Sequence, residues 1–165
     1  MQIRKAQRHD ATVAFDIRNQ AILSQCKGHY DDAMLVAWTD GELPITFVDA
    51  FSEHGYVAVV NDAVVGVGMI DVNHDAGKSF AVATGMVDGM FVHPSTFGLG
   101  VGRAMLQQLE TVAIEAGCKK LILDASLNAA DFYRACGFKG DKHSIYHSPR
   151  GLKLACIPME KLIIK

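Results

Sequence analysis

Residues 90–103 read Met90-Phe91-Val92-His93-Pro94-Ser95-Thr96-Phe97-Gly98-Leu99-Gly100-Val101-Gly102-Arg103. The run passes from an apolar strand, through a proline, into three alternating glycines at the mouth of an amphipathic helix. The first four amides of a helix have no partner within it and carry the positive end of its dipole, so they suit an anion. Gly100 and Gly102 lack a Cβ, which lets phosphate oxygens approach the backbone. The stretch therefore predicts a seat for a phosphate-bearing cofactor.

Downstream, Gly100 to Ala116 carries Val101, Met105, Leu109, Val112 and Ala113 at helical spacing, and Gly117 is a natural left-handed stop. Leu121 to Ala125 reads as a short buried strand. Ala129 to Cys136 reads as a short helix closed by Gly137, and the remainder as two strands around Ser148-Pro149-Arg150-Gly151.

Upstream the period is two. Tyr56 to Val60, a turn at Asn61-Asp62 and Val64 to Asp71 form a hairpin, with Gly66 and Gly68 in its second strand. After a turn over Asn73 to Gly77, a further strand ends at Pro94, which cannot donate to a ladder and turns the chain into the helix. Before the hairpin, Ile3 to Lys5 reads as a strand. Asp10 caps a helix from Ala11 to Gln25 with Val13, Ile17 and Ala21 on one face, and Asp31 or Asp32 caps another through Met34, Leu35 and Trp38. Thr46 to Glu53 adds one more. The order is mixed α/β, with antiparallel hairpins at both ends of a strand-helix-strand centre.

With 165 residues, half of them apolar and 21% charged, the chain fits one domain with a proper core. A formal charge of −2 and the lack of a dense Lys/Arg stripe argue against a nucleic-acid partner. The N-terminus lacks the apolar core of a secretion signal and no run is long enough to span a bilayer, so no membrane partner and a cytoplasmic location are expected. Cys26, Cys118, Cys136 and Cys156 are scattered without CxxC spacing and read as reduced, mostly buried thiols. His143 and His147 share one side of a strand but have no third ligand at matching spacing, so no metal is expected.

Other phosphate loops fail. No glycine begins a GxxxxGK[ST] loop, and the dinucleotide pattern GxGxxG would need glycine at Arg103 or Met105. Asp124 does lie near the distance at which that fold places its ribose-binding acid, which keeps a nicotinamide-dependent oxidoreductase as a competing reading.

Val92-x-Pro94 followed by Gly98-x-Gly100-x-Gly102 resembles the acyl-CoA-binding motif of the GNAT superfamily of N-acyltransferases. A second block, Asn128-Ala129-Ala130-Asp131-Phe132-Tyr133-Arg134-Ala135-Cys136-Gly137-Phe138, resembles that family's Asn-Ala-x-x-Phe-Tyr-x-x-x-Gly-Phe segment. The resemblance implies a single α+β domain over residues 1–165: a central, mostly antiparallel twisted sheet of six to seven strands, splayed at the cofactor site and flanked by about four helices. It implies acetyl-CoA as co-substrate, with the backbone of Phe91 and Val92 pairing with pantetheine. The amides of Gly98, Leu99, Gly100, Val101, Gly102 and Arg103 would hold the pyrophosphate, and Asn128 would also contact the cofactor. A free amide near Val92, released by a strand bulge, would hold the developing oxyanion. The family usually has Gln or Arg where this chain has Phe97, which removes any polar side-chain contact from that position.

Tyr133 resembles the family's general acid. When an amine attacks a thioester the departing thiolate takes a proton, which a neighbouring phenol can supply. The residues do not name the base that accepts the amine's proton; Asp88 and His29 are the candidates. The expected function is direct transfer of an acetyl group to a primary amine, on a small molecule or a peptide, and a homodimer is a common state in families of this kind. A module that binds CoA without turnover is the alternative.

Overall fold

The hydrophobic period changes at Gly55, and the described residues, 1–74 and 82–163 of this computed structural model, divide there. Before it lie strand β1 (Gln2–Lys5) and three helices, α1 (Ala11–Gln25), α2 (Asp32–Thr39) and α3 (Ile45–His54). After it come β2 (Gly55–Val60), β3 (Ala63–Asp71), β4 (Thr84–Val92), helix α4 (Val101–Glu115), β5 (Lys120–Ser126), helix α5 (Ala130–Ala135), β6 (Ser144–His147) and β7 (Lys153–Leu162). The expected turn at Asn73–Gly77 runs into residues that lie outside those described.

The strands form one seven-stranded sheet in the order β1-β2-β3-β4-β5-β7-β6, antiparallel except for β4 and β5. Among the described residues five helices flank it, in line with the expected architecture. Asp40 is extended and Pro44 starts a new N-terminus, so the segment after α1 breaks into two short helices.

The expected helix cap at Asp10 is not made. The Asp10 carboxylate instead accepts from the Gln7 amide at 2.8 Å and from the Arg4 guanidinium at 2.8 and 3.1 Å, closing a 3-10 turn (Arg8–Asp10) that precedes α1. Val13 faces outward, and the inner face of α1 is Ala11, Ala14, Phe15, Ile17, Ala21 and Ile22. Asp31 does cap α2, accepting from the Met34 amide at 2.8 Å. Asn61 and Asp62 both adopt positive φ, the requirement of the tight hairpin joining β2 to β3.

Alternation along the strands builds two cores. On one face Val57 and Val67 meet Ala14, Ile17 and Phe51 of α1 and α3. On the other, Leu121, Leu123 and Ala125 of β5 and Ile157 and Met159 of β7 meet Val101, Met105 and Leu109 of α4 and Tyr133 of α5. The glycines of β3 explain how closely α4 lies: a Cβ on Gly66 would come within 2.8 Å of Val101 Cγ1, and one on Gly68 within 2.9 Å of Met105 Cγ.

Candidate active site

β4 and β5 pair over only three positions, Thr84–Lys120, Gly85–Leu121 and Met86–Ile122. Beyond Met86, β4 keeps its ladder with β3, while β5 keeps its ladder with β7. The two strands part, and their facing edges are left without strand partners. His93 donates to the Val65 carbonyl at 2.7 Å, so by the alternation of an antiparallel ladder Phe91 is bonded to Val67, and the peptide groups of Met90 and Val92 turn into the gap. The gap-facing groups are thus those of Val92 and Met90; Phe91 spends its own on β3.

The bulge expected near Val92 lies elsewhere. The β3–β4 register shifts where Ile70 pairs Val87 and Met69 pairs Gly89, so Asp88 is the extra residue. The Val92 amide owes its freedom to strand alternation and splay instead.

At the end of β4 the chain does not enter the helix directly. Pro94–Thr96 forms a 3-10 turn in which the Ser95 amide donates to His93 Nδ1 at 3.1 Å. Gly98 and Gly100 then take φ of +80° and +84°, conformations that side chains with a Cβ rarely adopt. Their Cβ directions meet nothing within 4 Å, whereas Gly102 faces the Phe132 ring at 3.3 Å. The clearance for a ligand is therefore at Gly98 and Gly100; Gly102 is small for packing. The first bond of α4 runs from the Ala104 amide to Gly100 O, so the amides of Val101, Gly102 and Arg103 point outward without a helical partner. The Leu99 amide bonds back to Thr96 O at 3.3 Å, while the Leu99 side chain is exposed. Phe97 is half-buried, against the loop.

Tyr133 sits on α5 with its ring edge-on to Phe132 and Phe138, at 5.3 and 5.8 Å. Burial pushes its phenol well above the ordinary value, and the neighbouring Cys136 adds to the shift. Its hydroxyl makes no hydrogen bond among the described residues, nor does any fully enclosed side-chain polar atom there lack a partner, so the hydroxyl tip reaches an opening. Asn128 is half-buried just before α5, and its Oδ1 accepts from the Cys26 thiol at 3.2 Å.

The opposite face of the gap carries acid. Asp88 stands two residues beyond Met86 and Asp124 two beyond Ile122, so the last rung sets both on the face away from α4. Both side chains are exposed, and partial desolvation raises both carboxyls; Asp71 raises Asp88 further, and His54 and His74 pull it back. His29 is not among those groups; it is exposed in the turn after α1. Tyr146 of β6 is raised by burial and by Asp88 and Asp124, and lowered by Arg18 of α1. Asp124, His54, His74, Tyr146 and Arg18 were not legible as a group, because five separate segments deliver them.

None of the four cysteines is in a disulfide; Cys136 is half-buried and the others are buried. His143, just before β6, and His147, its last residue, are exposed, and no cluster of three or more metal-ligating side chains forms among the described residues. No helix there is long and apolar enough to cross a membrane.

Residues 11–138 match the Acetyltransferase (GNAT) family. The chain belongs to that family. It is 27% identical over 118 residues to an aminoglycoside N(6')-acetyltransferase type 1 of Stenotrophomonas maltophilia, an alignment covering 66% of this chain and 77% of that one. It is 33% identical over 63 residues to the glucosamine 6-phosphate N-acetyltransferase of Trypanosoma brucei brucei, covering 38% and 43%. Among solved structures, a GCN5-related N-acetyltransferase of Rhodopseudomonas palustris superposes with a TM-score of 0.83 at 24% identity, covering 98% of this chain and 94% of that one. The PaiA N-acetyltransferase of Thermoplasma acidophilum, in complex with coenzyme A, superposes with a TM-score of 0.73 at 14% identity, covering 98% of each. The acetyltransferase is thus a GNAT fold with an open, mostly antiparallel sheet.

Proposed function

We propose that this acetyltransferase moves an acetyl group from acetyl-CoA to a primary amine by direct attack within a ternary complex. The observation that carries the reading is the gap between β4 and β5, with the partnerless amides of Val101, Gly102 and Arg103 at its end. Those donors, and the open space over Gly98 and Gly100, fit a diphosphate. The peptide groups of Met90 and Val92 fit an extended chain of amides, which would add to β4 as a strand does. Asn128 lies at the start of α5, where it would contact the same chain.

Acetyl-CoA, when bound, supplies the activated acyl group. The Val92 amide is placed to stabilise negative charge on the carbonyl oxygen. Tyr133, kept protonated by burial, donates its proton to the leaving sulfur. Asp88, the bulged residue across the gap, accepts the amine's proton directly or through water. The two named relatives act on amino sugars, which supports an amine acceptor.

A thiol-release assay with acetyl-CoA and a panel of amines tests the proposal. Release that depends on the amine supports it, whereas coenzyme A affinity without release would make the chain a binding module.

A further inference from the structure

The acceptor side of the gap contains two arginines that no carboxylate neutralises. Arg18 of α1 places Nη1 2.6 Å from Asn19 Oδ1, and both of its Nη atoms 3.4 Å from the Trp38 carbonyl. Arg150, from the turn between β6 and β7, brings Nη1 within 3.3 Å of the same Trp38 carbonyl and Nη2 onto the Asp40 carbonyl. Neither has an ion-pair partner among the described residues. The C-terminal carbonyls of a helix such as α2 welcome one cation. Two guanidinium groups sharing one carbonyl repel each other, and burial together with Arg150 lowers Arg18 to a pKa of about 10. An anion placed between them would relieve both.

Tyr146 relates this positive corner to the acids of the gap, since Asp88 and Asp124 raise its phenol and Arg18 lowers it. Acids of β4 and β5 and an arginine of α1, itself joined to Arg150 through the Trp38 carbonyl, thus act on the same β6 side chain with opposite sign.

We infer that the acceptor is dipolar: its amine is drawn to Asp88 and Asp124 while an oxyanion on the same molecule, a carboxylate or phosphate, is held by Arg18 and Arg150. This rests on the transferase reading for the amine's role, but binding alone can test it. A simple monocationic amine would leave the arginine pair uncompensated, and a simple anion would meet the two carboxylates. Arg18 and Arg150 become the residues that set specificity, without contact with the reacting atoms.

The test is calorimetric titration of the protein saturated with coenzyme A, using ω-amino carboxylates of two to six carbons, aminoalkyl phosphonates of the same lengths and the matching alkylamines. At one length or more, the amino acid or phosphonate binds at least about tenfold tighter than its alkylamine, the equivalent of 1.4 kcal/mol. Arg18→Gln and Arg150→Gln each remove that preference while leaving alkylamine and coenzyme A affinity unchanged. Arg150→Lys, which keeps the charge, retains part of it. Alkylamines binding as tightly at every length, or an undiminished preference in both glutamine variants, overturns the inference. Failure of coenzyme A to bind would count against the transferase reading instead, and the same titrations on the free protein would still decide this one.

Discussion

The Tyr30 hydroxyl donates to the Ala155 carbonyl at 2.6 Å and accepts from the Leu127 amide at 3.1 Å. The β5–β7 ladder ends with Ser126 opposite Cys156, so Leu127 and Ala155 would form its next rung. A side chain from the turn after α1 replaces that rung and wedges the two strands apart. The loop released there carries Asn128 and leads into the helix of Tyr133. Tyr30→Phe would leave the Leu127 amide and the Ala155 carbonyl without this partner, costing about 1–3 kcal/mol in stability. Thermal unfolding of the variant, with turnover assayed well below its midpoint, measures both the loss of the wedge and its effect on the site.

Replacing Tyr133 by Phe keeps the ring contacts with Phe132 and Phe138 and removes a hydroxyl that holds nothing else. Turnover falls by about 10²-fold, the low end for a general acid, with coenzyme A affinity retained. Because the phenol titrates above its ordinary value near 10, its deprotonation does not limit the wild-type rate below about pH 10. An unchanged kcat in the Phe variant would remove Tyr133 from the chemistry.

Gly100→Ala forces a Cβ onto a backbone at φ +84° and into the space beside the amide donors. Coenzyme A should bind about tenfold more weakly or worse, a loss of 1.4 kcal/mol or more. Gly117, at φ +89° beyond the far end of α4, provides the control. Its alanine variant carries similar strain but leaves the dissociation constant unchanged.

At Gly66 the cost is steric. An added methyl meets Val101 Cγ1 at 2.8 Å and the Ala58 Cβ at 3.4 Å, so Gly66→Ala destabilises by about 1–3 kcal/mol. Val101→Ala alone opens a void. Denaturant titration of the double variant should give a smaller loss than the sum of the two, since each change relieves the other.

Asp10 predicts an acid limb to stability. Hydrogen bonding from Arg4, aided by the Gln7 amide, holds its carboxyl below the ordinary range. A lowered folded-state pKa means the contribution is complete above the unfolded value near 3.9 and disappears as pH falls through the folded one. Asp10→Asn is therefore less stable than wild type at pH 7 by about 1–3 kcal/mol. Unfolding curves of the two proteins should converge only once pH falls through the lowered folded-state value, below the unfolded one.

The glycine-loop side of the gap, where the proposal places the cofactor, was legible in the sequence because its elements are local. The strand from Thr84 to Val92, the glycines after Pro94 and the period of Val101, Met105 and Leu109 all fall within one continuous stretch, as does the Asn128–Phe138 block. The acceptor side was not. Asp88 and Asp124 come to the same face of the sheet only through the parallel register of β4 and β5, and Arg18 meets Arg150, 132 positions further along the chain, only through the fold. Asp10 misled for a related reason: an acidic residue before an apolar period looks like a helix cap until Arg4 of the first strand is brought beside it.

Among the described residues, three strand rungs, Thr84 to Met86 against Lys120 to Ile122, with the Ala83 carbonyl accepting from Lys119 and Lys120 just before them, join β1–β4 to β5–β7 within the sheet. Each half is braced internally by antiparallel ladders, so the sheet is constructed like an arch, with a short seam at its foot and an open wedge above. The helix α4 is its lintel: one apolar core under that helix ties both limbs together, so the wedge is held open by packing and needs no occupant to keep its shape.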